Sequence, residues 1–152
     1  MPKKLSEHFT LEEMIFSQTA ARKGLDNTPP PEIVANLRVM VATLEEIRTL
    51  LGVPIHVNSG YRSLAVNKAV GGSKNSAHIL GLATDLTAHS FGTVLQVARK
   101  IAASGIVYDQ LIYEFGTWVH IGLRKEAPRR ENLSIFSGTG YLKGILSKPP
   151  AG

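Results

Sequence analysis

The apolar positions of the chain follow two rhythms. In the first, Ile33, Leu37, Met40, Val41, Leu44, Ile47 and Leu51 recur every three or four places, which predicts an amphipathic helix over about 32–51 with one face on a core. The prolines Pro29 to Pro31 precede it and Gly52 stops it. Residues 92–103 repeat the pattern with Val94, Leu95, Val97, Ala98, Ile101 and Ala102, ended by Ser104-Gly105. Thr10 and Glu13 have capping-box spacing, so a short helix is expected from Leu11 to about Ser17. Leu64 to Val70 fits one or two turns before Gly71 and Gly72.

The second rhythm has period two and dominates the rest. "PIHVNS" (54–59) sets Ile55 and Val57 on one face, and "GLATDLT" (81–87) alternates Leu82, Thr84 and Leu86 against Ala83 and Asp85. "DQLIYE" (109–114) and "WVHIGL" (118–123) read as two strands joined through "FGT", a hairpin. From Arg124 onward the pattern is irregular, with one strand near "NLSIFS" and a frayed "KPPAG" end. Helices first and short strands later predict an α+β domain, a small antiparallel sheet flanked by helices. At 152 residues a single domain spanning 1–152 is expected, with its core over 7–123 and an irregular tail over 124–152.

Composition narrows the picture. With 43% hydrophobic and 19% charged residues the chain can build a packed core, which argues against disorder. No apolar run is long enough to span a membrane, and the start, "MPKKLSEHFTLEEM", lacks the apolar segment of a secretory signal. The formal net charge of +5, from 17 basic and 12 acidic residues, favours anionic partners such as cell-wall polymers or nucleic acid. That charge is diffuse. "RKEAPRR" (124–130) is interrupted by an acid and reads as a solvated surface, and no arginine-dense helix or aromatic-basic platform supports a nucleic-acid partner.

Cysteine is absent, so any transition metal must rest on imidazole and carboxylate. His78 and Asp85 stand seven residues apart with Gly81 between them, enough chain to bend back on itself. His120, on the later strand, can complete a three-ligand set that suits zinc and leaves one position for water. By spacing alone these three could equally be scattered polar groups.

The words around them resemble a known family. "SGYRS", "VNKAVGGSKNSAHILGLATD" and "DQLIYEFGTWVHIGL" are similar to the zinc D-Ala-D-Ala carboxypeptidase and peptidoglycan endopeptidase family (M15 type), which includes phage endolysins and vancomycin-resistance D,D-dipeptidases. Its motif S-x-H-x-x-G-x-A-x-D is met by Ser76, His78, Gly81, Ala83 and Asp85. "HFTLEEM", "TA" at 19–20 and "DN" at 26–27 resemble its phage and prophage carboxypeptidase-like branch. The resemblance runs from about residue 7 to 123 and implies a zinc fold like that of these peptidases and of hedgehog signalling domains. It also implies that His78, Asp85 and His120 bind Zn²⁺ and that Arg62 contacts substrate.

One position departs from the family. Several branches carry an acid three places before the last histidine ligand, where this chain has Thr117. Glu114 is the acid of the segment, and it reads either as the general base or as a group that holds a ligand ring. Ser76 is read as a cleft residue on His78 or the substrate backbone, or else as a loop serine. Trp118 either walls the cleft or anchors the hairpin, and Gln110 either meets substrate or faces solvent. His89 reads as a surface or capping histidine, His56 as a structural histidine or else a cleft residue, and His8 as part of the N-terminal packing.

The expected function is zinc-dependent hydrolysis of a D-amino-acid-containing bond in peptidoglycan stem peptides, with Glu114 and Arg62 as catalytic residues and Arg62, Ser76 and Trp118 binding substrate. The alternative is a non-catalytic zinc-binding module that recognises wall material or a protein. A monomer is expected, with no nucleic-acid partner and no membrane insertion. It would be made in the cytoplasm and act on the wall after release, or as part of a phage or prophage system.

Overall fold

The computed structural model of the chain describes residues 3–151. Six strands form one sheet in the order β1-β2-β4-β3-β5-β6: β1 (His56–Ser59), β2 (Ala83–Thr87), β3 (Gln110–Glu114), β4 (Trp118–Gly122), β5 (Glu131–Ile135) and β6 (Leu142–Lys143). Five α-helices accompany it: α1 (Leu11–Ile15), α2 (Gln18–Lys23), α3 (Pro31–Leu51), α4 (Leu64–Ala69) and α5 (Val94–Ala102). The α+β class expected from the pattern is the one observed.

The long apolar repeat becomes α3, which starts with Pro31 at its first turn and ends on Gly52 in the left-handed region. Its buried stripe of Leu37, Met40, Val41, Leu44 and Ile47 joins Val97, Ala98 and Ile101 of α5 and the inward side chains Leu86, Leu111, Val119 and Ile121 of the sheet. This is the core, and it occupies one face of the sheet. Thr10 and Glu13 close the expected capping box on α1, and the expected hairpin is present. Thr117 N–H donates to Glu114 C=O across Phe115 (φ 54°) and Gly116 (φ 67°), a tight turn with both central residues left-handed.

Three features were not anticipated. The first helix stops at Ile15, and α2 follows as a separate element, capped by Ser17 and ended by Gly24 at φ 64°. The sheet is antiparallel except where β5 runs parallel to β3. There the segment 124–130 crosses back, so that Arg130 and Glu131 donate to the carbonyls of Tyr108 and Asp109. The region beyond Arg124 holds the strand expected near "NLSIFS" as β5 and adds an unexpected second one, β6.

The crossing segment is exposed from Arg124 to Arg129, as a solvated surface, yet two of its arginines are held in place. Arg129 makes a two-point pair with Asp109 (3.0 and 2.9 Å). Arg130 donates to the carbonyls of Ile106, Ala102 and Ser104, closing the C-terminal end of α5. Among the described residues no helix is long and apolar enough to cross a membrane.

Candidate metal centre and its cleft

Alternation along β2 and β4 sends Leu86, Val119 and Ile121 to the core and leaves Asp85 and His120 on the other face. The antiparallel register then sets Asp85 directly opposite His120, so two side chains distant in sequence become cross-strand neighbours. His120 Nδ1 lies 2.9 Å from Asp85 Oδ1.

His78 arrives from a 3₁₀ turn, Ala77–Leu80. Ser76 starts that turn by accepting the His78 backbone N–H at 3.2 Å. Gly81 ends it at φ 71°, and a Cβ there would sit 3.0 Å from Ile33 Cγ2 against α3. The chain thus folds back between His78 and Asp85, bringing His78 Nε2 to 3.3 Å from Asp85 Oδ1. The metal-ligating atoms of His78, Asp85 and His120 all lie within 4.8 Å of one another.

The protons make this more than a cluster of polar groups. His78 Nδ1 lies 2.7 Å from the carbonyl of Gly60, and a carbonyl can only accept, so Nδ1 carries the hydrogen. Burial drives the His78 pKa down, which favours the neutral ring. Its Nε2 then presents a lone pair to the Asp85 carboxylate, whose own pKa is lowered against its burial, first of all by the contact with His120. Acceptor facing acceptor at this distance calls for a shared cation, and two imidazoles with one carboxylate are a donor set that suits a divalent transition metal.

Glu114 stands beside this set. Its register partner is Trp118, whose indole N–H donates to Oε2 at 3.0 Å, while Oε1 lies 3.9 Å from His120 Nδ1. Burial, and then the charge of Asp85, raise the Glu114 pKa above the ordinary glutamate value. Thr117, at the position where other branches of the resembled family carry an acid, sits in the hairpin turn with its hydroxyl on Phe115 C=O.

Arg62 is largely buried, with Nη2 at 3.5 Å from Asp85 Oδ2, Nε on Ser59 and Nη1 on Asn67. The loop that carries Gly60 and Arg62 is tied down in turn. Asn27 donates to the carbonyls of Ile15 and Tyr61 and accepts from Ser63 N–H. Asn27, Gly60 and Asn67 had not been singled out individually. "DN" and "SGYRS" carried their signal, but what they touch depends on packing.

The cleft in front of these groups has a volume of ≈ 560 Å³ and is lined by Phe16, His56, Arg62, Val66, Asp85 and Trp118, among others. Trp118 is therefore both a wall of the cleft and the donor that holds Glu114. The hydroxyl of Ser76 acts on the backbone of His78. The Gln110 amide donates to Glu131 at 2.7 Å. His56 is exposed at the cleft wall, His89 is exposed beyond the end of β2, and His8 holds Glu45 of α3 at 2.6 Å.

Two comparisons bear on this geometry. Residues 7–122 match the family described as Peptidase M15, a span that includes the three clustered groups, Arg62 and Glu114. A stretch of 69 residues is 44% identical to the zinc D-Ala-D-Ala carboxypeptidase of Streptomyces albus G, covering 43% of this chain and 27% of that protein. The chain thus spans well under half the length of the curated relative. The family match, by contrast, takes in most of the chain, and the chain belongs to the Peptidase M15 family.

Proposed function

We propose that this chain is a zinc-dependent peptidase that cleaves a bond next to a D-amino acid in peptidoglycan stem peptides. The reading rests on one observation above all: His78, Asp85 and His120 converge behind an open cleft with the Glu114 carboxyl beside them. The peptidase family supports the reaction class, and the name of the Streptomyces relative supports the metal and the substrate class.

His78, Asp85 and His120 would hold the zinc, which would supply Lewis acidity and the means to make water a nucleophile near neutral pH. Glu114 is the proton carrier. Its Oε2 is engaged by Trp118, so Oε1 accepts the proton of the attacking water and returns it to the departing amine. In the metal-free site burial raises the Glu114 pKa, which strengthens it as a base, and a bound cation would offset part of that rise.

Arg62 binds either the oxygen on which negative charge develops or a substrate carboxylate, and its contacts with Ser59, Asn67 and Asp85 hold the guanidinium in place beforehand. Trp118 borders the bound peptide. Ser76 acts one step back, through the backbone of His78. The surplus positive charge favours an anionic wall. The protein acts as a monomer on the wall after release, or as part of a phage or prophage system.

Digestion of defined muropeptides by the zinc-loaded protein, read by mass spectrometry, tests the reading. Glu114→Gln is expected to lower kcat by about 10²- to 10⁴-fold while zinc stoichiometry is kept. Activity at the wild-type level in that variant would remove Glu114 from its role. No cleavage of D-Ala-D-Ala, L-Ala-D-Glu or cross-bridge bonds by the wild type would sink the peptidase reading in favour of a non-catalytic zinc module.

A further inference from the structure

The family match ends at residue 122, yet the sheet continues beyond it. β5 lies parallel to β3 with Ile135 beside Glu114, and β6 returns with Leu142 opposite Ser134. Tyr141 immediately precedes β6, and the register of that pair continued one step back sets it level with Ile135. Alternation then gives it the face opposite to Leu142 and Ser134, which is the face of Glu114. Glu114, Ile135 and Tyr141 thus form one row across the sheet. At about 4.8 Å per strand, roughly 10 Å separates the outer backbones, with Ile135 between them as a floor over which a peptide group would lie.

The segment that carries Tyr141 is fixed on both sides. Phe136 and Thr139 exchange hydrogen bonds before it, Ser134 Oγ donates to Gly144 C=O after it (2.7 Å), and Gly144 N–H donates to Asn132 C=O (2.8 Å). The residue itself is 62% exposed, so the ring is open to a ligand. Partial burial and the negative charges of Glu114 and Asp85 raise the phenol pKa, which keeps the O–H a donor and shows that both carboxylates lie within electrostatic reach.

We propose that Tyr141 is a substrate-binding residue whose phenol donates a hydrogen bond to an oxygen of the peptide on the Glu114 side of the scissile bond. This deepens the peptidase reading and rests on it. The acceptor is either a main-chain carbonyl or a terminal carboxylate, which share the same chemistry. Tyr141→Phe keeps the ring and removes only the donor.

The test compares wild type and Tyr141→Phe, both zinc-loaded, on diacetyl-Lys-D-Ala-D-Ala and on its C-terminal amide. We expect kcat/KM to fall about 5- to 30-fold, carried mainly by KM, with thermal midpoint and zinc content unchanged. An equal loss on both peptides supports a carbonyl acceptor, and a larger loss on the free acid supports a carboxylate. A change below twofold on both overturns the proposal. A second readout needs no turnover: the ring signals of Tyr141 in ¹³C-tyrosine-labelled, zinc-loaded protein should shift when the dipeptide D-Ala-D-Ala is added. Silent Tyr141 signals alongside a shifting Trp118 indole signal would overturn the role of Tyr141 and leave the peptidase reading standing. Wild type inactive on these peptides and on the L-Ala-D-Glu and cross-bridge muropeptides would instead overturn the peptidase reading, and with it the assignment of Tyr141 to substrate.

Discussion

Both faces of strand β2 are buried, and on β4 the core face is buried and the site face half-buried, yet the two faces differ in kind. On one face Leu86, Val119 and Ile121 meet α3 and α5 and carry no polar atoms in their side chains. On the other, Asp85 and His120 face each other and His78, with Arg62 at 3.5 Å from the same carboxylate. Burial of the first set releases water from apolar surface and stabilises the fold. Burial of the second costs desolvation, which only mutual contacts and a bound cation offset. Burial by itself therefore marks neither core nor site; the chemistry of the neighbours does. Adjacent residues of one strand serve opposite ends.

The sharpest way to break the contrast is to cut Asp85 and Leu86 separately. Asp85→Ala should weaken zinc binding by more than about 100-fold, beyond the range typical of lost supporting contacts, and abolish hydrolysis. Leu86→Ala should lower stability by about 2–5 kcal/mol, with full zinc stoichiometry in the folded protein. Competition with a chromophoric chelator and urea unfolding of both variants would measure the two effects. If Leu86→Ala lost zinc as completely as Asp85→Ala, the faces would not be independent.

A smaller effect is expected at the turn that joins the two regions. In Gly81→Ala the left-handed backbone alone should cost about 1–2 kcal/mol, and the new Cβ would press on Ile33 of α3. Because the same turn delivers His78, zinc affinity should fall along with the denaturation midpoint. Destabilisation with unchanged affinity would show that the turn does not set the ligand position.

The finest test is electrostatic. In the metal-free protein Asp85 should stay ionised below the ordinary 3.8, whereas Glu114 should still be titrating above the ordinary 4.5. The signs of the two linkages are opposite. The stabilising share of Asp85 is complete above its unfolded value and lost as pH falls through its lower folded one. Glu114, with its pKa raised, costs stability as pH rises through the window above 4.5. Zinc loading should pull Glu114 down, because a nearby cation favours the carboxylate. Trp118→Phe removes the indole donor and should push Glu114 up, moving the acid limb of kcat/KM to higher pH. The accompanying loss in rate should be about 3- to 10-fold, less than a fully buried charged hydrogen bond would give. Carboxyl ¹³C titrations and pH–rate profiles would check each sign.

Much of this was legible before any coordinates. The apolar repeats located α3 and α5, the alternating words located β1 to β4, and Thr10 with Glu13 marked the start of α1. The second short helix was hidden because Phe16 and Ser17 break the chain with two extended residues, between two elements too short to show a period. The parallel pairing of β5 with β3 left no trace in local pattern, because register across a crossover depends on where Arg130 and Glu131 find carbonyls. Arg130 looked like solvated charge, and its acceptors, at the end of α5 and just beyond it, belong to a segment more than twenty residues away.

The sequence by itself determined the donor inventory: no thiolates, three residues of metal-ligating type in words shared with a family, and a threonine where other branches of that family carry an acid. Only the tertiary structure decided which donors meet. Cross-strand register put Asp85 opposite His120, a left-handed glycine against α3 turned His78 back towards them, and a carbonyl from the Gly60 loop chose which ring nitrogen points inward. The physical reason is that side-chain type is a local property, whereas a ligand set is defined by distances between segments. Those distances are fixed by packing and hydrogen bonding across the whole sheet.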